Sequence, residues 1–137
     1  MENKFDRSAK EWDSNPVRVK IAQTAIQELT KHVSPAPYMH VLDYGTGTGL
    51  MLLGIQPYVV HVTGMDSSQG MLDVLRGKIK DAEIMNVDVV HHNIETEELP
   101  KDAFDLLVSN MTLHHIEDTA MFLRKAHRAL KSGGICC

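Results

Sequence analysis

His40-Val41-Leu42-Asp43-Tyr44-Gly45-Thr46-Gly47-Thr48-Gly49 is the stretch whose reading decides the fold. A short apolar run ends in an acid and opens into alternating glycines, and Leu50-Met51-Leu52-Leu53 follows. Apolar residues ahead of a glycine cluster read as a buried strand, and the apolar run behind it as the first turns of a packed helix. The expected unit is strand, tight loop, helix. Glycine is needed in such a loop on two grounds: the turn calls for positive φ, and a ligand approaches the backbone closely only where no Cβ intervenes. The helix behind the loop aims its unpaired N–H groups and positive dipole end at whatever anionic group lies there.

Two kinds of nucleotide site use such a turn. A dinucleotide fingerprint requires G-x-G-x-x-G, whereas this loop runs Gly45-Thr46-Gly47-Thr48-Gly49 with Leu50 where the last glycine would fall. That spacing disfavours NAD. Asp43 points the same way, because a carboxylate two residues ahead of the first glycine repels a pyrophosphate and suits a ligand carrying an ammonium or sulfonium group. S-adenosylmethionine (SAM) carries both. Val41 to Gly49 closely resembles motif I of the class I SAM-dependent methyltransferases. The resemblance implies a Rossmann-like, doubly wound α/β fold with strand order 3-2-1-4-5 and SAM as cofactor. It places Asp43, Gly45, Thr46, Gly47 and Gly49 around the methionine end of SAM.

Outward from the loop the pattern alternates. Ahead of it, Asn15 and Pro16 make a helix start with proline at the first helical position. Val17, Ile21, Ala22, Ala25, Ile26, Leu29 and Val33 then fall at helical spacing up to Ser34-Pro35-Ala36-Pro37. This amphipathic helix is expected to cover a sheet face or edge. Phe5 and Trp12 stand in a polar arm before it; they either anchor the arm on the domain or form part of a lid over the cofactor, as the N-terminal segment does in several families this chain resembles. Behind the loop, Pro57 breaks the helical pattern and Val59 to Asp66 reads as a second, β-branched strand. Ser67-Ser68 offers an N-cap for a helix striped by Met71, Leu72, Leu75 and Ile79. Glu83 to Val90 supplies a third strand, Phe104 to Ser109 a fourth, and Asp118 caps a helix bearing Met121, Phe122, Ala126 and Leu130. Lys131-Ser132-Gly133-Gly134 stops that helix, and Ile135-Cys136-Cys137 begins a fifth strand. Such alternation gives a parallel sheet with helices on both faces, joined by right-handed crossovers. One domain is expected over 1–137, with an arm and helix over 1–36 and a cofactor-binding core over 37–137.

Composition excludes more than it selects. The 137 residues, 43% hydrophobic and 23% charged, are ordinary globular material, enough for one domain. A net charge of −4 with no basic run argues against a nucleic-acid backbone as partner. No apolar stretch approaches the roughly 18 residues of a membrane span, and Met1-Glu2-Asn3-Lys4 opens no signal peptide, so a cytoplasmic protein is expected. Cys136 and Cys137, adjacent and terminal, offer neither a disulfide framework nor a zinc site. The eight histidines include the neighbours His91-His92 and His114-His115, whose side chains diverge on extended backbone. No metal-ligand spacing is present and no metal is expected.

In a sheet of this kind ligands gather at the carboxyl ends of the strands. At the second strand end Asp66 and Ser67 are candidate cofactor contacts. The Asp66 carboxylate can accept from both ribose hydroxyls, or it caps the following helix, for which Ser67 and Ser68 also serve. At the third, His91-His92-Asn93-Ile94-Glu95 with Leu99-Pro100 resembles the methyltransferase segment G-D-A-E-x-L-P, with Asn93 at the aspartate and Ile94 at the alanine. The resemblance implies that the Asn93 amide oxygen accepts from the adenine amino group and that Ile94 presents its backbone N–H, although Asn93 lacks the carboxylate's charge. An ordinary polar loop is the other reading. At the fourth, Phe104 to Ile116 resembles motif IV of the small-molecule branch, F-D-x-V-x-S-x-x-x-L-H-H, which implies that Asn110 and Met111 line the pocket beside the sulfonium. Neither the N-P-P-Y signature of amide and exocyclic-amine methyltransferases nor a Pro-Cys nucleophile is present. His114 or His115 could take a proton from an acceptor hydroxyl, or one packs beneath the helix while the other orders the loop.

Across Phe5 to Cys137 the likeness is to the ubiquinone/menaquinone-biosynthesis type of methyltransferase and its small-molecule relatives. It implies direct methyl transfer from the sulfonium to O, N or C of a small-molecule acceptor, a step that positioning and desolvation accelerate without an obligate catalytic residue. Family members continue through the fifth strand into a sixth and seventh that shape the acceptor site. The last strands are therefore expected to be missing here, and the apolar edge left open is expected either to let the chain self-associate or to leave it marginally stable. A second reading, from another class, is a non-catalytic SAM-binding or interaction module that has lost its acceptor half. A nicotinamide oxidoreductase is a third.

Overall fold

The structure, a computed structural model, describes residues 9–109 and 118–136. Phe5, Asn110, Met111, His114, His115 and Cys137 lie outside the described residues. Five strands, β1 (His40–Tyr44), β2 (His61–Asp66), β3 (Val87–His91), β4 (Phe104–Val108) and β5 (Leu130–Cys136), form one sheet in the order β3-β2-β1-β4-β5. All its pairings are parallel, and the expected order is the observed one. The α-helices are α1 (Pro16–His32), α2 (Leu50–Ile55), α3 (Gln69–Asp81) and α4 (Thr119–Ala129).

Local chemistry sets three of the helix starts. Asn15 Oδ1 accepts from Val17 N at 2.9 Å, Ser68 Oγ from Met71 N at 3.2 Å, and Asp118 Oδ1 from Met121 N at 2.9 Å. Each satisfies one of the amides that a helix leaves unpaired in its first turn. The fourth helix, α2, has Gly49 as its N-cap and runs into a 3-10 turn, Gln56–Tyr58, that contains Pro57.

Side chains alternate across the strands and so divide the core into two layers. Val41, Val62, Leu106 and Val108 face Leu29 of α1, Leu52 and Ile55 of α2, and Leu75 of α3. Leu42, Tyr44, Met65 and Leu107 face Phe122, Ala126 and Ala129 of α4, with Ile94 and Leu99 from the loop after β3. Helices thus cover both faces. At roughly 1.5–3 kcal/mol for each large apolar side chain taken out of water, these layers are the main force holding the strand ends in place. Among the described residues no helix is long and apolar enough to cross a membrane.

Boundaries differ from the sequence reading where side chains act at a distance. Val17 and Ile21 are 64% and 38% exposed, so the buried stripe of α1 is Ala22 and Leu29, with Ala25 and Ile26 partly covered. The second strand begins at His61 rather than Val59, and the third at Val87 rather than Glu83. Glu83 adopts a positive φ of 54°, and Asn86 Nδ2 donates to the carbonyls of Gln56 at 3.0 Å and Val59 at 3.1 Å. That amide closes both turns at once and keeps their residues out of the ladder. Leu130 leaves the helix and opens β5, whose pairing with β4 shifts register between Phe104 and Leu106.

Candidate functional site

β1 delivers Asp43 and Tyr44 to the carboxyl edge of the sheet, where Gly45, Gly47 and Gly49 take φ of 77°, 57° and 83°. The amides of Gly45 and Thr46 donate to the Met65 carbonyl at 2.8 and 3.0 Å, hooking the loop onto the end of β2. Two glycines are required for different reasons. A Cβ on Gly49 would lie 2.3 Å from Leu75 Cδ1, so that glycine permits α3 to pack. A Cβ on Gly47 would meet nothing within 4 Å, so there the backbone conformation demands glycine and the space above it stays open.

Asp66 sits beside that open backbone. Its Oδ2 accepts from the Gly47 amide at 2.9 Å and its Oδ1 from the Ser68 amide at 2.9 Å. The carboxylate therefore ties the glycine loop to the start of α3, while the cap of that helix is the Ser68 hydroxyl. A carboxylate offers about four lone-pair sites, so binding two amides is compatible with accepting from a ligand as well. Ser67 is exposed next to it, and its carbonyl accepts from His91 Nε2 at 2.9 Å.

Asp43 lies beneath the loop, 2% exposed. Burial raises its carboxyl from the ordinary 3.8 to about 7, against the lowering effect of the Thr46 hydroxyl, which donates to Asp43 Oδ2 at 2.9 Å, and with a smaller raising contribution from Asp66. A cation placed nearby would favour its charged form.

The N-terminal 3-10 helix, Ala9–Ser14, roofs this floor. Asp13 accepts from the Thr48 hydroxyl and pairs with Lys78 of α3, whose ammonium also donates to the Thr48 carbonyl at 2.9 Å. The Arg18 guanidinium carbon stands 3.6 Å from the centre of the Trp12 ring. Trp12 and Arg18, with Asp43, Gly45, Thr46 and Gly47, line a cavity of about 80 Å³. Sites for drug-sized ligands run to roughly 300–1,000 Å³. The roofed space therefore admits an amino-acid-sized end, and the rest of a nucleoside would lie along the open strand ends. Arg18 was not among the residues singled out in the sequence, yet a signal existed: it is a cation in the first turn of α1, where the helix dipole disfavours one. Among the described residues it has no carboxylate partner.

At the end of β3 the His92 amide donates to the Asp66 carbonyl at 2.9 Å. Asn93 closes a tight turn: its Oδ1 accepts from Glu95 N at 3.0 Å, and its carbonyl from Glu97 N at 2.8 Å. Ile94 is buried in the α4 layer. The structure thus brings Asp43, Gly45, Thr46, Gly47, Gly49, Asp66 and Ser67 to one edge, with Asn93 and Ile94 on the adjoining turn. Just beyond β4 the Ser109 hydroxyl is buried with no hydrogen-bond partner among the described residues. No group of three His, Cys, Asp or Glu side chains among the described residues is placed to hold a metal ion.

A family model described as a methyltransferase domain matches residues 42–137. The demethylmenaquinone methyltransferase of Listeria welshimeri is 39% identical over 74 residues, which are 54% of this chain and 31% of that protein. The chloroplastic 2-methyl-6-phytyl-1,4-hydroquinone methyltransferase 1 of Oryza sativa subsp. japonica is 33% identical over 111 residues, 77% of this chain and 33% of that protein. This chain spans about a third of the length of these curated relatives. A solved SAM-dependent methyltransferase from Aquifex aeolicus superposes with a TM-score of 0.76 at 23% identity, over 92% of this chain and 67% of that one. At that identity the likeness is one of fold.

Proposed function

The chain belongs to the methyltransferase-domain family, and from that premise we propose that it is the cofactor-binding part of a SAM-dependent methyltransferase acting on a small-molecule acceptor. The observation that carries this reading is the 2.9 Å bond from the Gly47 amide to Asp66, beside main chain where a Cβ would meet nothing within 4 Å. An acid and open backbone thus lie together at the switch point of the sheet, where ligands of doubly wound folds bind.

In this reading Asp66 accepts the ribose hydroxyls and Ser67 borders them. The amino-acid end enters the cavity under Trp12, where Arg18 offers a cation to its carboxylate and Asp43 an acceptor to its ammonium. Gly45, Thr46, Gly47 and Gly49 form the floor, and the turn at Asn93 and Ile94 lies beside the adenine. Asn110 and Met111, following β4, border the sulfonium. Trp12 serves as anchor and lid together, since its ring both stacks on Arg18 and closes the cavity. SAM, when bound, supplies an electrophilic methyl group on a positively charged sulfur. The chain's own residues hold and orient it and keep water away, which is where most of the acceleration of such a step arises. His114 or His115 remains the candidate to receive a proton from an acceptor hydroxyl.

The names of the two curated relatives direct attention to a quinone-type acceptor. Composition supports a cytoplasmic setting and a partner other than nucleic acid. Self-association through the outer edge of β5, which pairs only with β4 among the described residues, belongs to the same proposal. Calorimetric titration with S-adenosylhomocysteine (SAH) and with NAD tests the cofactor assignment. Saturable binding of SAH and none of NAD is expected; NAD binding, or no binding of SAH, overturns it.

A further inference from the structure

Resting on the reading of the Asn93 turn as the adenine side of the site, we propose that Tyr44 and His92 are positioning residues, a buried phenol–imidazole pair that sets this turn against the purine. The Glu98 carbonyl can only accept, so His92 Nε2, 2.9 Å from it, carries the ring proton. That leaves the Nδ1 lone pair facing the Tyr44 hydroxyl at 3.0 Å, and the phenol therefore donates to it. The same hydroxyl also lies 3.4 Å from the His92 carbonyl. One continuous chain results: Tyr44 O–H to Nδ1, then Nε2–H to the Glu98 carbonyl. It grips the turn at its entry and at its exit.

The grip is rigid. Tyr44 and His92 are both buried, their rings meet edge to face with centroids 5.5 Å apart, and Phe122 meets Tyr44 at 5.4 Å. Hydrogen bonds in such surroundings polarise one another, and an unpaired member is costly. Lys125, its side chain 12% exposed, holds the turn from the other side by donating to the carbonyls of Ile94 at 2.7 Å and Glu97 at 3.0 Å. Tyr44 also runs directly into Gly45, so one residue fixes the adenine turn relative to the glycine loop.

The test compares SAH with S-inosylhomocysteine, which differs in carrying an oxo group in place of the purine amino group. Wild type is expected to prefer SAH. Tyr44→Phe removes one oxygen and keeps the ring, and it should lose about three- to tenfold of that preference. Phe122→Leu loosens the same apolar layer without touching the hydrogen-bond chain; it should lower the melting temperature and leave the preference intact. An unchanged preference in Tyr44→Phe, or an equal loss in Phe122→Leu, overturns the proposal. Should Tyr44→Phe fail to fold, His92→Gln, whose amide can serve Glu98 or Tyr44 but not both, carries the same expectation and the same refutation. Failure of wild type to bind SAH would instead bring down the site assignment on which the pair's role rests.

Discussion

The two sides of the site are built by different means. On the glycine-loop side the conformation is written in the loop's own backbone, Gly47 sitting at a φ of 57°, and the acid closing β2, 19 residues on, accepts from the Gly47 amide and from that of nearby Ser68. On the proposed adenine side the turn is propped by side chains from afar, Tyr44 being 48 residues from His92 and Lys125 31 residues from Ile94. A loop specified by its own backbone conformation is visible in sequence, because few residues adopt positive φ. A loop held by distant props exists only once the sheet and α4 have assembled.

The largest effect should come from breaking the self-specified side. Gly47→Val puts a β-branched residue at positive φ, at a cost of about 1–2 kcal/mol in stability, and fills the open space above the loop. Calorimetry should detect no SAH binding. A folded Gly47→Val protein that binds normally would remove the loop from the site.

Next in size is the buried acid beneath that loop. The folded state holds the Asp43 proton up to about pH 7, whereas the ordinary value is 3.8. Below the ordinary value both states are protonated and the fold is unpenalised; stability is then lost as pH rises through about 7, on the order of 4 kcal/mol between the limits. Asp43→Asn should abolish that slope and melt higher than wild type at pH 8. It should also weaken SAH while leaving adenosine, which lacks the amino-acid end, little changed. Parallel pH–melting curves for the two proteins, or equal losses for both ligands, would show that Asp43 only braces Thr46.

Asp66→Ala should weaken SAH by roughly 1–3 kcal/mol, the scale for losing a charged hydrogen-bond partner. Titration with an unchanged dissociation constant would remove Asp66 from the ribose. The smallest effect is expected on the propped side, where Lys125→Met strips two carbonyls of a donor and should weaken SAH by about 1 kcal/mol. A loss as large as that of Gly47→Val would mean that the two sides do not differ as described.

Legibility in the sequence follows the same division. The order of the strands is the one the resemblance implies, whereas the caps at Asn15, Ser68 and Asp118 rest on neighbours in sequence, and the observed elements match both. The start of β3 was misplaced because Asn86 answers to Gln56 and Val59, some thirty residues earlier. Arg18 and Lys78 escaped notice because their partners, Trp12 and Asp13, lie in an arm that the sequence left as either anchor or lid. His92 read as one of a diverging histidine pair, and only the Tyr44 hydroxyl and the Glu98 carbonyl give its ring a task.

A crystal structure of the chain grown with SAH tests the cofactor site most directly. Ribose hydroxyls on Asp66, the purine against the Asn93 turn and the amino-acid end beneath Trp12 and Arg18 are the predicted result. SAH lying away from the glycine loop, with its ribose out of reach of Asp66, would contradict it.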